Sequence, residues 1–421
     1  MIKKLLQHLK KNEIKTIVKN FFSLSSLNFI SYIFPLILIP YIIHTVGLKF
    51  YGQYILSTAI ITYCTLLVNY GFDFSATKLI SINRDDKVKI SEILINITAA
   101  RIIFAFIATI AIILITLTIP NLTDNCLLYY LGIGILWGQA ITPLWLFQGI
   151  EKMGYITLIN VITRSISTLF IFVFIKSPEH FYLLNLFQSI GYLTSGIACF
   201  FMIRRYIGVH FIKPSLIKIK IYLYEAWPIF LSTLSMSFYR EANVLILGLT
   251  TNYSLVGQYG AIEKIVKAMQ SFIDPLAKAL FPFFGRKFNN SKENIKLFFQ
   301  FGKIYTILLL ILTTILFAIG PQLILWYLGS SFKSAIIVFK ILVPIILFGG
   351  LNYYFGIVGL INLGMDKYFL KSVIITGVFS ITICSLLSLN FDIRGAAIAM
   401  VGSELLLLTL ISKKIWNYRQ I

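Results

Sequence analysis

The sequence predicts an all-α polytopic membrane protein with about twelve transmembrane helices in two six-helix lobes. Three observations lead there. The 421 residues are 58% hydrophobic and only 13% charged, whereas soluble domains carry about 25% charged residues. Apolar runs of span length recur along the whole chain, with short polar connections between them. The basic residues fall on alternate connections, which fits an even number of spans.

Residues 1–20, MIKKLLQHLKKNEIKTIVKN, set Ile2, Leu5, Leu6 and Leu9, then Ile14, Ile17 and Val18, at helical spacing between lysines. That is the pattern of an amphipathic basic helix on the inner membrane surface. Lysines break its apolar region and no small-residue cleavage site follows, unlike a secretory signal. A span needs about 20 mainly apolar residues. Twelve such stretches follow, at about 21–43, 53–71, 93–117, 127–148, 156–175, 183–203, 227–249, 256–283, 297–319, 336–359, 369–389 and 395–412. With the N-terminus inside, the inner segments hold 25 Lys and Arg and the outer segments four: Lys49, Lys176, Lys333 and Arg394. This asymmetry predicts both termini in the cytoplasm. The expected organisation is therefore the helix 1–20, an N-lobe 21–203 (helices one to six), a basic cytoplasmic linker 204–226, a C-lobe 227–412 (helices seven to twelve) and a basic tail 413–421.

The two halves echo each other. Tyr51-Gly-Gln-Tyr54 opens span two and Val256-Gly-Gln-Tyr259 opens span eight; Gly149-Ile-Glu-Lys152 follows span four and Gly364-Met-Asp-Lys367 follows span ten. Six spans per half make this a parallel repeat, a construction frequent among transporters.

The net charge of +21 belongs with basic loops facing anionic lipid rather than with nucleic acid. The four cysteines and four histidines are scattered, so no metal site, disulfide framework or cofactor is expected. No catalytic constellation stands out, so an enzyme, including a polymerase or acyltransferase, is excluded.

The chemistry lies in charges within the spans. Span eight carries Lys264, Lys267, Ser271, Asp274 and Lys278 at spacings that place all five on one face of a continuous helix. Arg101 and Arg164 lie about 12 Å into the membrane and Arg240 nearer 20 Å. Eight cations in the spans face four acids, Glu241, Glu263, Asp274 and Glu404. A charge at mid-span costs about 2.5–3.5 kcal/mol, so each needs a partner or a water-filled cavity. Arg101, Arg164, Arg240, Lys264, Lys267 and Lys278 are the expected contacts for an anionic substrate, held by charge-assisted hydrogen bonds. Asp274 and Glu404 are the expected ion-coupling residues. Pairing along the stripe, or between Glu263 and Lys267 at i,i+4, is the purely structural reading of the same residues.

The motifs Gly47-Leu-Lys-Phe-Tyr-Gly-Gln-Tyr54, Tyr70-Gly-Phe-Asp-Phe-Ser-Ala-Thr-Lys78, Phe147-Gln-Gly-Ile-Glu-Lys-Met153, Val256-Gly-Gln-Tyr259 and Asn362-Leu-Gly-Met-Asp-Lys367 occur in order over nearly the whole chain. In these the chain resembles the Wzx-type flippases of the polysaccharide transporter family, within the MOP superfamily. The resemblance implies a MATE-like V-shaped bundle around a central cavity. It implies translocation of undecaprenyl-diphosphate-linked oligosaccharide, an O-antigen or capsule repeat unit, across the bacterial inner membrane. Membrane lipid, the O-antigen polymerase and the chain-length regulator are the partners that go with it. The alternative is a cation-coupled small-molecule antiporter of the multidrug branch. A carrier of organic cations calls for cavity carboxylates, and spans one to six have no acid at mid-membrane.

Overall fold

The computed structural model describes residues 11–206, 208, 212–271, 273–287 and 292–419. Side chains are described from residue 33 onward, except at 206, 239, 278, 279, 282, 286, 287, 292–294, 418 and 419. Of the amphipathic helix expected at 1–20, the first ten residues lie outside this set, and the chain is helical from Lys11.

All regular structure among the described residues is helical. Among the described residues, eight stretches are long and apolar enough to cross a membrane. Asp366–Asn417 holds two of the expected spans, and Ile33–Ile82 holds span two and the end of span one. Spans seven and eight add Leu216–Thr250 and the pair Tyr253–Ser271 and Asp274–Lys287, whose charges lower their apolar character. The helices thus accord with a twelve-span, multi-pass membrane protein.

Local chemistry explains the breaks. The run Lys11–Asn69 is interrupted at Gly47, whose φ of 85° and ψ of 164° lie where a side chain is strained, so spans one and two part there. Spans eleven and twelve part at Asp392, with φ 48°. Span ten is assembled from Ile336–Leu342, Ile345–Asn352 and a π-helical segment Tyr353–Ile361.

Residues Tyr41–Ser237 pack as one compact unit, and the described residues up to Pro40 pack with those from Phe238 onward as the other. The changeovers fall inside spans one and seven, not in the basic stretch between the halves. That stretch is also more helical than its lysines suggest, because span six runs to Tyr206 and the next helix already begins at Leu216. Ile219, Tyr222 and Ala226 supply the reason. They recur on one helical face and are buried with Phe72, Ile90, Ile93, Ile97, Trp145 and Ile156 in the core of the first unit.

In that unit, spans four and six pack closely. A β-carbon on Gly138 would meet the backbone of Tyr192 and Leu193, the close approach that small residues permit between membrane helices. Asn185 of span six donates to Ser57 Oγ of span two and to the Leu128 carbonyl of span four, at 2.9 Å each. The repeated tyrosines do equivalent work: Tyr54 of span two accepts from Gln188 of span six, and Tyr259 of span eight reaches Met400 of span twelve.

The entry to span seven is fastened to span three. Glu92 receives Lys218 at 2.5 Å, Lys89 at 2.8 Å and the Tyr222 hydroxyl at 3.1 Å. Asn96 accepts the Ser215 amide at 2.7 Å. Replacing Glu92 by Gln removes both ion pairs. Because the lysines are half-exposed, the expected loss is about 1–2 kcal/mol. Thermal unfolding of the detergent-solubilised chain reads it as a lower midpoint, with no further drop when Lys218→Met is added.

Candidate functional site

The unit containing spans eight to twelve gathers most of the intramembrane charge. Arg240 and Glu241 come from span seven, Glu263, Lys264 and Lys267 from span eight, and Glu404 from span twelve. Lys267 lies at their centre. Its ammonium has three donors and three oxygens within reach: Glu241 Oε1 at 3.0 Å, Glu263 Oε1 at 3.1 Å and the Arg240 carbonyl at 3.2 Å. Glu263 follows from the i,i+4 spacing; Glu241 and the carbonyl come from the neighbouring span. Lys264 is half-buried and feels both glutamates.

Arg240 has different surroundings. Its side chain is 46% exposed, and its Nε lies 3.9 Å from Oε1 of Glu404, a residue whose side chain is only 2% exposed. Glu404 is fixed by span ten, where Asn352 Nδ2 donates to its Oε2 at 2.6 Å and to its backbone carbonyl at 2.8 Å. Formally the cluster balances: Arg240, Lys264 and Lys267 stand against Glu241, Glu263 and Glu404. The balance at this cluster is reached only with Glu404 of span twelve.

The continuous charged stripe needs correction. Span eight is two helices, Tyr253–Ser271 and Asp274–Lys287, with a turn at Ile273 between them. Pro275 is the physical cause: it lacks an N–H and its ring excludes a helical carbonyl one turn back. Asp274 and Pro275 open the second helix, where an acid and a proline are both favoured. Ser271 turns its hydroxyl onto the Ala268 carbonyl at 2.6 Å, so it is no rung of the stripe. Asp274 is half-buried within electrostatic reach of Tyr305 and Tyr353. The Lys278 side chain lies outside the described residues.

In the other unit, Arg101 is 1% exposed. It donates to Asn69 Oδ1 at 2.6 Å and to the Thr142 carbonyl at 3.1 Å, with Asp73 supplying the opposing charge. Arg164 is half-buried and makes no hydrogen bond or ion pair among the described residues. The structure thus brings Arg240, Lys264, Lys267 and Glu404 together, and keeps Arg101 and Arg164 in separate surroundings within their own unit.

Asn352 and Asn69 were not singled out from the sequence. A lone asparagine in an apolar span was the available signal in each case, since an amide in such a place needs a partner.

Replacing Lys267 by Met leaves the buried Glu263 and the half-exposed Glu241 with Lys264 as the remaining cation beside them. A stability loss of about 1–3 kcal/mol is expected, less than for a fully buried ion pair because Lys267 and Glu241 are partly exposed. Adding Glu263→Gln should recover most of it, since the buried charge goes too. Thermal unfolding of both variants measures the difference.

Comparison with known proteins puts this arrangement in context. The chain is 26% identical over 388 residues to a putative O-antigen transporter of Escherichia coli (strain K12), covering 90% of this chain and 92% of that one. An inward-facing multidrug resistance MATE family transporter of the MOP superfamily superposes with a TM-score of 0.68 at 15% identity, over 91% of this chain and 98% of that chain. The lipid II flippase MurJ in an inward closed conformation superposes with a TM-score of 0.57 at 12% identity, over 96% and 85%. At such identities the two structures establish a common fold. The family model described as "Polysaccharide biosynthesis protein" matches residues 17–288, well over half of the sequence, and the chain belongs to that family.

Proposed function

We propose that the chain is a flippase that carries an undecaprenyl-diphosphate-linked oligosaccharide, an O-antigen or capsule repeat unit, from the cytoplasmic to the periplasmic leaflet of the bacterial inner membrane by alternating access. The observation that carries this reading is Arg240: a half-exposed guanidinium within a span, balanced at 3.9 Å by a buried carboxylate. A planar, permanently charged fork suits a diphosphate. The kinship with a putative O-antigen transporter supports the cargo class, and the fold shared with a lipid II flippase is compatible with it.

The six proposed anion contacts then divide by their surroundings. Arg240, Lys264 and Arg164 are the primary ones. Lys267, with three oxygens around it, holds the site together. Arg101 acts from within its unit, and Lys278 completes the set on the lower helix of span eight. Glu404 and Asp274 are the proposed ion-coupling carboxylates. The antiporter alternative shares the fold, but the likeness to MATE transporters at 15% identity speaks to the fold alone.

The test is transport of a lipid-linked glycan in proteoliposomes. Arg240→Ala is expected to slow it tenfold or more, the scale of one charge-assisted hydrogen bond. Arg240→Lys should recover part of the rate, since it keeps the charge and loses the fork. Arg164→Ala should show a smaller loss. Wild-type transport by Arg240→Ala, or movement of organic cations in place of glycan, would overturn the proposal.

A further inference from the structure

The helix that forms span seven starts at Leu216, about 16 Å along its axis before residue 227, where the span was expected to begin. This first part has two apolar faces. Ile219, Tyr222 and Ala226 are buried in the core of the first unit. Leu216, Ile217, Ile221 and Tyr224 are exposed, Ile217 at 74% and Tyr224 at 83%. Ile217, Ile221 and Tyr224 recur at four and three residues and so form one stripe. Trp227 and Leu231, also exposed, continue it into the expected span. Apolar side chains of this size are unfavourable in water, and a bilayer interface removes them from it.

Basic residues flank the stripe. Residues 204–225 hold five cations, Arg204, Arg205, Lys213, Lys218 and Lys220, against one acid, Glu225. Lys218 is engaged by Glu92 of span three at 2.5 Å. Lys213 and Lys220 are exposed and make no hydrogen bond or ion pair among the described residues.

We propose that this segment is a binding site for anionic phospholipid. Ile217, Ile221 and Tyr224 enter the edge of the acyl-chain region, while Lys213 and Lys220 meet the headgroup phosphates. A long lysine stem keeps its ammonium among the headgroups when apolar neighbours are immersed, and tyrosine favours the same level. The basic residues on alternate connections predict that this end of the unit faces the cytoplasmic leaflet, whose lipids carry negative charge. The entry to span seven is then held on both faces, by Glu92 and the core on one and by lipid on the other. The site is independent of what the chain carries.

Lipid binding by the full chain in detergent tests this, read by native mass spectrometry with phosphatidylglycerol and phosphatidylcholine of equal acyl chains. The wild-type chain is expected to bind phosphatidylglycerol about tenfold more tightly, since each lysine at an anionic surface adds roughly fivefold. Lys213→Gln with Lys220→Gln should weaken phosphatidylglycerol about tenfold and leave phosphatidylcholine unchanged. Ile221→Asn should weaken both lipids alike. Lys367→Gln with Lys371→Gln, which removes two exposed lysines from the other unit, should leave both affinities as they were. Equal affinity for the two lipids would overturn the proposal. So would an equal loss from the Lys367 and Lys371 pair, or no loss from the Lys213 and Lys220 pair. Displacement of phosphatidylglycerol by inorganic phosphate or an acidic peptide would overturn it as well, because the occupant would then be a soluble anion.

Discussion

A charge among apolar helices persists only where a partner offsets the loss of water, and Lys267 meets that constraint with three oxygens. The contact does more than neutralise one ammonium. It joins span eight to span seven through both a side chain and a peptide carbonyl. Through Arg240 the same network reaches Glu404 on span twelve, and through Asn352 it reaches span ten. Apolar faces gain little from meeting one another in lipid, so such polar links and close packing specify which helices adjoin. Four spans of one unit are tied in this way.

Within this network the cations are not equivalent. Lys267 has its donors surrounded by three oxygens, whereas the Arg240 side chain is 46% exposed. Arg101 and Arg164 stand at similar positions along their expected spans, yet Arg101 is buried in its unit against Asn69 and the Thr142 carbonyl. Such a buried guanidinium stiffens the helix ends it bonds. A half-exposed one can exchange one counter-charge for another, as carriage of an anion requires. Position along a span says little about which of these roles a residue takes.

The architecture was largely legible from residue chemistry. Apolar periodicity located the helices, and Gly47 marked the parting of spans one and two. The repeated tyrosines Tyr54 and Tyr259 proved to bridge equivalent spans. Three features were harder to read. Asp274-Pro275 signals a helix start, but the regular spacing of the charged residues suggested one uninterrupted face. The lysines after Lys213 resembled a linker, while the apolar face Ile219, Tyr222 and Ala226 was already docking. Asn352 stood out only as a lone amide in an apolar run, and its partner Glu404 lies 52 residues away.

The sequence by itself determined that the chain crosses a membrane many times, where the spans fall, and which of them carry charge. These depend on hydrophobicity and periodicity, which are local sums over about 20 residues. Only the tertiary structure decided which charges are matched. Lys267 meets Glu241 across 26 residues, and Arg240 meets Glu404 from the last span. Whether a cation is neutralised depends on the few ångströms between side chains of different helices, because the loss of hydration is repaid only where the partner's geometry is good and hydrogen bonds complete it. That separation is a property of helix packing and is written in no single stretch of the chain.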